Sequence, residues 1–448
     1  MKLDLRFIIP GPTPGTVLRD ADGRLPAQMV EGDADEATVV AATACLRERF
    51  ALTTPILESH PKWEGVPDGE PIPTLVMTEP VAADWATPDG LAFAPIAPSA
   101  EGLPDVLVPR ADDLLGELRT GAEPPDLRPR WARRGWHERA SAWMSEALAA
   151  VGRPLLEPPR PFYLRGISAL LHGRTADGDV FLKAVFPPFH PEPVVGRLLA
   201  ERFPTLVPRV VAIDVDEGWL IVDDVAAPWI SDLPTDAKRA GLAAGARAVV
   251  AIQNALVGDL DAFVAAGCPI RPLDGLADAT HSALGPDGAS HAAGAVSPER
   301  RERAVAATHD AVARVHGLGF PTTLIHGDFH AGNAALVEDR AVIIDWSDAA
   351  ISNPAVDLVT WLNWSREEPE EQRVAIDAWV TAWSTTGTVE SAAVRAAIDD
   401  ILVVGAAYQV VSYDGILRAL EPATRYTLAD AARSFLTELE SMDAHVDR

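Results

Sequence analysis

The chain is poor in cysteine and in positive charge and has no long apolar run, and each shortage removes a class of function. Only two cysteines, Cys45 and Cys268, occur in 448 residues. So far apart, they offer neither a disulfide framework nor a paired-ligand zinc spacing, and they read as small buried hydrophobes. No uncharged apolar stretch reaches the roughly 18 residues of a membrane span. The start, Met1-Lys2-Leu3-Asp4, lacks the apolar region of a signal peptide. A cytoplasmic protein that does not engage membrane is expected. Lys and Arg total 38 against 65 Asp and Glu, a formal net charge of −27. That balance would repel nucleic acid and anionic lipid rather than bind them. It is compatible with a cationic small molecule, although an acidic surface also serves solubility. What remains is a globular composition, 48% hydrophobic and 23% charged, long enough for about two to four domains.

The most informative stretch is 324–348, LIHGDFHAGNAALVEDRAVIIDWSD. It places an H-x-D-x-x-x-x-N pattern (His326, Asp328, Asn333) ahead of a run of apolar β-formers that ends in a second acid, Asp345. Transfer of a γ-phosphoryl group needs an oriented hydroxyl nucleophile and a divalent metal to spread charge over the phosphate oxygens. Asp328 suits the first task, accepting or orienting the proton of the attacking hydroxyl. Asn333 and Asp345 offer hard oxygen ligands for Mg²⁺. His326, two positions before the base, suits bracing of the loop through backbone groups better than chemistry.

The variant HGDFHAGN followed by IIDW resembles the aminoglycoside phosphotransferase and choline-kinase-like family of small-molecule kinases. It matches that family better than the protein kinases, which carry HRD and DFG at these places. The resemblance implies ATP and Mg²⁺ as cofactors. It also implies an α+β, protein-kinase-like bilobal fold, with a small β-rich ATP lobe and a large, mainly helical C-lobe, here preceded by a small α/β domain. The segment Asn353-Pro354-Ala355-Val356-Asp357-Leu358 supplies the expected downstream P-x-x-D-L, with Asp357 anchoring the catalytic loop.

The ATP lobe is expected over 159–225. Strands over 168–172 and 180–185 make a hairpin, with Asp177-Gly178 as the turn signal. Lys183 stands among Phe181, Leu182, Ala184 and Val185, where a lysine is unfavourable to bury without a partner. By resemblance it contacts phosphate, held by an ion pair with Glu192 at the start of the next helix. The run WLIVDD, which contains Asp223, leads into a hinge that would meet adenine through main-chain atoms. The phosphate-covering loop lacks G-x-G-x-x-G; Gly166 and Ser168 are its candidates, with Arg165 beside them.

Residues 1–100 hold strand-like runs at 3–9, 74–77 and 91–96 around a helix-like segment at 36–49. The layout faintly resembles a Nudix-type domain but lacks the R-E-x-x-E-E-x-G box, so a cap or interaction domain is expected, not a hydrolase. Residues 101–158 read as a linker, stiffened by Glu123-Pro124-Pro125 and Arg128-Pro129-Arg130, and a helix over 137–151. Residues 226–448 form the C-lobe, whose helix before the catalytic loop starts at Ser297-Pro298-Glu299, a serine cap with proline at the first position.

For the acceptor the sequence leaves two readings open. Glu367 and Glu368 with Trp364 could make an acid-and-aromatic site for an ammonium group, or a solvated helix start beside core tryptophans. Asp348, Gln409 and Tyr413 are further candidates for the pocket. The expected activity is ATP-dependent phosphoryl transfer to a hydroxyl of a small molecule such as an amino sugar, sugar or aminoglycoside, by a monomer or homodimer. A nucleotide-binding pseudokinase or scaffold is the alternative.

Overall fold

The computed structural model describes residues 2–31, 37–62, 66–67, 69–97, 102–289, 296–363 and 368–446. The architecture is α+β, β-rich in its amino-terminal part and mainly helical in its carboxy-terminal part. Two compact units divide the chain, Met1–Phe186 and Pro187–Arg448.

The first unit contains β1 (Lys2–Ile8), β2 (Thr16–Asp20), β3 (Ala27–Glu31), α1 (Ala37–Phe50), β4 (Ile56–Pro61), β5 (Ile72–Thr78), β6 (Leu91–Pro95), α2 (Val108–Thr120), α3 (Trp136–Ala150), β7 (Arg160–Leu164), β8 (Ser168–Thr175) and β9 (Gly178–Val185). Alternation builds β1: Leu3, Leu5 and Phe7 are fully buried, while Asp4 and Arg6 pair on the other face at 2.8 Å. A mixed sheet runs β3-β1-β5-β4, with β1 and β5 parallel. The segment read as a linker is partly helical. In α2 and just before it, Leu107, Ala111, Leu114 and Leu115 recur at helical spacing and pack on Ile8, Leu57, Leu75 and Met77. The Pro-rich flanks concealed this stripe from a composition-based reading.

Beneath α2 lies a buried ionic cluster. Glu58 Oε2 accepts from Arg110 Nη2 at 2.6 Å and contacts His60, while Glu58 Oε1 lies 2.9 Å from Arg128 Nη1. Burial alone would raise the Glu58 pKa, but His60, Arg110 and Arg128 outweigh it and hold the carboxyl down at about 2. The residues of this cluster are spread over 58–128, so no local pattern announces it.

Strands β7, β8 and β9 are antiparallel neighbours, and α1 packs along β7. The β8–β9 hairpin closes with Thr175 opposite Gly178, so the two-residue loop is Ala176-Asp177, one position earlier than the Asp-Gly signal suggests. Gly178 takes φ +120°, which glycine alone adopts easily.

The second unit contains α4 (Glu192–Arg202), β10 (Val210–Asp214), β11 (Trp219–Asp223), α5 (Thr235–Ala255), α6 (Asp261–Ala265), α7 (Leu276–Ala283), α8 (Pro298–His316), β12 (Thr323–Ile325), β13 (Ala334–Val337), β14 (Arg340–Ile343), β15 (Ala350–Ser352), α9 (Asp357–Trp361), α10 (Pro369–Thr385), α11 (Ser391–Ala396), α12 (Ile398–Ala419) and α13 (Tyr426–Val446). Ser297 caps α8 as its sequence predicts, its Oγ accepting from Arg300 N–H at 3.3 Å. Helix α12 packs on α7, α8, α9 and α13. By length and composition it could cross a membrane, yet 72% of its apolar window is buried inside the protein, as in a core helix. Trp361, Trp379 and Trp383 are fully buried in the same core.

Two small antiparallel ribbons position the motifs. β12 pairs with β15, and β13 with β14. The 326–333 loop joins β12 to β13, and the 344–349 loop joins β14 to β15, so both motif loops emerge from adjoining short strands.

Candidate active site

The loop after β12 turns sharply at Gly327, whose φ is +84°. A Cβ there would lie 2.3 Å from the Asp348 carbonyl oxygen, so only glycine lets the two loops meet. The Asp357 carboxylate, 1% exposed, ties the turn from below. It accepts the N–H of His326 at 2.9 Å and of Gly327 at 2.8 Å, and the Gln253 amide at 2.7 Å. Burial raises its pKa to about 6 in spite of these donors, and the nearby Asp328 charge adds to the rise. From above, the Gln409 amide of α12 donates to the Gly327 carbonyl at 2.6 Å.

His326 is fully buried. Its Nδ1 accepts from Asp328 N–H at 3.3 Å, which assigns the proton to Nε2, and Nε2 then donates to the Ile344 carbonyl at 2.9 Å. One imidazole therefore links the Asp328 loop to the residue before Asp345. Phe329 points into the core and stacks on Trp361 at 4.1 Å between centroids and 8° between planes. Gly245 of α5 makes room for that indole: a Cβ there would lie 2.3 Å from it.

Asn333 closes the loop. Its Nδ2 donates to the Asp328 carbonyl at 3.0 Å, and its own carbonyl accepts from Ile344 N–H at 2.9 Å. Asp328, Asn333 and the approach to Asp345 are thus joined by a continuous set of hydrogen bonds. Asp345 sits in the left-handed region at φ +62°, an uncommon conformation that asparagine and aspartate tolerate best and that clusters at functional sites. The Ser347 hydroxyl bridges Asp345 and Glu192, reaching Glu192 Oε2 at 2.9 Å.

Asp328 keeps 34% of its side chain exposed, with His330 Nε2 at 3.6 Å from Oδ2. Burial and the Asp345 charge raise its pKa, and His330 opposes them. Among the described residues no group of three or more His, Cys, Asp or Glu forms a metal cluster. The donor set still suits Mg²⁺. Asn333 has its amide nitrogen engaged and carries an amide oxygen besides, and Asp345 supplies a carboxylate; Mg²⁺ commonly takes one or two such protein oxygens plus phosphate and water.

The remaining candidates fall into three groups. Tyr413 is half-buried, and burial followed by the Asp328 and Asp348 charges raises its pKa well above the usual value. Asp348 lies against Gly327, and Gln409 donates to the Gly327 carbonyl, so these two candidates meet the 326–333 loop directly. Trp364 and Glu367 lie outside the described residues. Glu368 is exposed at the start of α10, and no interaction among the described residues joins it to the loop. Its acidic neighbours are engaged elsewhere, Glu370 with Arg373 at 2.6 Å and Glu371 with Lys238 at 2.8 Å.

In the first unit, Lys183 is 9% exposed on β9, and Gly166 and Ser168 occupy the turn in which Arg165 N–H donates to the Ser168 carbonyl at 3.0 Å. In the second, Glu192 is 4% exposed at the start of α4, and Asp223 ends β11, its N–H donating to the Arg209 carbonyl at 3.0 Å. Gln253 and Ser347, which the structure joins to the two loops, were not legible from the sequence as neighbours of these motifs. Ser347 stands inside the motif and could have been found; Gln253 lies on a distant helix without a local signature.

The family model described as "Phosphotransferase enzyme family" matches residues 174–389, just under half of the chain. The match is distant, and residues before 174 extend beyond it. It supports phosphotransferase chemistry at the level of the superfamily. No curated protein matches the chain. Similar solved structures include a macrolide 2′-phosphotransferase from Brachybacterium faecium, with 20% identity, 64% of this chain and 97% of that chain covered, and a TM-score of 0.45. A choline kinase from Streptococcus pneumoniae shows 11% identity over 68% of this chain and 99% of that chain, with a TM-score of 0.47. A choline/ethanolamine kinase family protein from Mesorhizobium loti shows 15% identity over 68% and 99%, with a TM-score of 0.42. None of these decides the acceptor.

Proposed function

We propose that this chain is a cytoplasmic, ATP-dependent O-kinase that moves the γ-phosphoryl group to a hydroxyl of a small molecule. The observation that carries the reading is the bonded set Asp328, Asn333, Ile344 and His326, which unites a partly exposed carboxylate with the Asn333 amide and with the backbone that leads directly into Asp345. In this reading Asp328 orients the acceptor hydroxyl and takes its proton as the oxygen attacks phosphorus. Asn333 and Asp345 would hold Mg²⁺, which neutralises charge on the phosphate oxygens when bound.

Asp357, Gln409 and His326 keep the loop in place, so little reorganisation is needed during transfer. Lys183 and Glu192 are proposed to serve phosphate binding, and their support is that each is a charged side chain with little exposure, for which function is a better reason than stability. Gly166, Ser168 and Asp223 are proposed to line the nucleotide, and Tyr413 and Asp348 the acceptor.

The test is coupled ADP release with Mg-ATP across aminoglycosides, amino sugars, neutral sugars, choline and homoserine, with Asp328→Asn as the blank. Acceptor-dependent turnover that disappears in the blank while Mg-ATP binding persists supports the kinase. Equal turnover by wild type and Asp328→Asn would sink the mechanism, and Mg-ATP binding without any turnover would favour a scaffold.

A further inference from the structure

Arg271 belongs to none of the motifs, yet its backbone is built into the ribbon that carries the catalytic loop. Ile270 bridges in parallel to Ile351 of β15, Arg271 N–H donates to the Ile351 carbonyl at 2.9 Å, and Ser352 Oγ donates to the Arg271 carbonyl at 2.6 Å. β15 is paired with β12, which runs straight into Gly327 and Asp328. The guanidinium lies over the Tyr408 ring at 5.8 Å, with Nη1 at 3.4 Å from the Tyr408 hydroxyl and 3.3 Å from Ser412 Oγ. Tyr408 and Ser412 are one turn apart on α12, and Gln409 between them holds Gly327.

These two long contacts to neutral hydroxyls, both from one nitrogen, are all the hydrogen bonds the guanidinium makes among the described residues, and no carboxylate there forms an ion pair with it. A partly buried arginine has five donors and is unfavourable to leave so poorly matched for stability alone. Burial opposes its charge, while Tyr408 and Asp348 help to hold it. Asp348 packs against Gly327, the residue before Asp328, and its charge reaches Arg271, so the guanidinium, Asp348 and the catalytic carboxylate share one region.

We propose that Arg271, together with Asp348 and Ser412, reads the acceptor as a neutral polyhydroxylated molecule, a sugar or cyclitol, rather than a polycation. This rests on the kinase reading and names its substrate class. A planar guanidinium can donate to two neighbouring acceptor oxygens, while a carboxylate accepts from their hydroxyl protons. A fixed cation beside the pocket disfavours an ammonium-rich acceptor, and Asp328 and Asp348 disfavour an anionic one.

The experiment compares kcat/KM for neutral polyols, polycationic aminoglycosides and choline in the full chain, for wild type, Arg271→Met and Arg271→Lys, with melting temperature and Mg-ATP affinity measured on each. Wild type is expected to prefer neutral polyols. Arg271→Met is expected to raise their KM at least tenfold and to lower the neutral-to-cationic kcat/KM ratio by a similar factor, and Arg271→Lys to recover part of the loss. A merely structural arginine would lower all acceptors together, so the ratio remains informative even for a weakened variant; Ser412→Ala, a smaller change, should move it in the same direction. A wild-type preference for aminoglycosides or choline overturns the assignment, as does a ratio unchanged in Arg271→Met. Absence of turnover with every acceptor would instead strike at the kinase reading and remove this one with it.

Discussion

Asp357→Asn separates a loop-positioning role from a folding role. The carboxylate takes three donors, and an amide of the same shape can keep only one oxygen. The best orientation leaves that oxygen at the Oδ2 site, with His326 N–H and Gln253, and turns NH₂ toward the Gly327 N–H. One charge-assisted hydrogen bond is lost and a buried donor is left facing another, together about 3–5 kcal/mol. Against this, the buried charge disappears. Raising the pKa from 3.8 to about 6 corresponds to about 3 kcal/mol of relief above pH 6 at about 1.4 kcal/mol per unit. Global stability should therefore fall by only about 0–2 kcal/mol, whereas the Gly327 amide is pushed out of place. Since Asp328 follows directly, and a misplacement of about 1 Å can lower a rate about a hundredfold, kcat/KM should drop by about two orders of magnitude with little change in melting temperature. ADP release and thermal denaturation on the same preparation test this. Wild-type turnover, or a loss matched by unfolding, would refute the reasoning.

Three further perturbations follow, two at the same loop and one at the buried cluster of the first unit. Gly327→Ala places a Cβ 2.3 Å from the Asp348 carbonyl at φ +84°; the loops must separate, and turnover should fall by at least about a hundredfold, visible in ADP release while Mg-ATP still binds. Gln409→Leu leaves the Gly327 carbonyl without its amide donor, a loss of about 1–3 kcal/mol expected as a roughly tenfold or larger fall in kcat. Glu58 has its pKa depressed from 4.5 to about 2, so its contribution of about 3 kcal/mol is complete above about pH 4.5 and lost as pH falls through 2. Acid titration followed by circular dichroism should show that loss, and Glu58→Gln should lower stability at pH 7 and flatten the acid dependence.

Local features were legible because their physics is local. The alternation of β1, the serine cap of α8, the β8–β9 hairpin and the H-x-D-x-x-x-x-N loop each depend on residues within a few positions of one another, where backbone period, capping and turn chemistry act. The roles proposed for Asp328, Asn333 and Asp345 rest on the same kind of local pattern, oxygen-bearing side chains of the type that phosphate and metal chemistry requires. Tertiary packing decided the rest. Gln253 meets Asp357 across 104 positions and Gln409 meets Gly327 across 82, and no periodicity links such pairs. The stripe of α2 lay within a Pro-flanked segment, and Glu58, Arg110 and Arg128 acquire their meaning only when β4 and the chain around α2 are folded together. Arg271 has no motif at all; its place beside the catalytic loop comes from one bridge to β15 and the face of α12 that it meets. Composition and motif set which chemistry the chain can perform, while the spatial convergence of distant, individually unremarkable side chains sets how the loop is held and what lies beside it, because burial and hydrogen-bond satisfaction are properties of the folded whole.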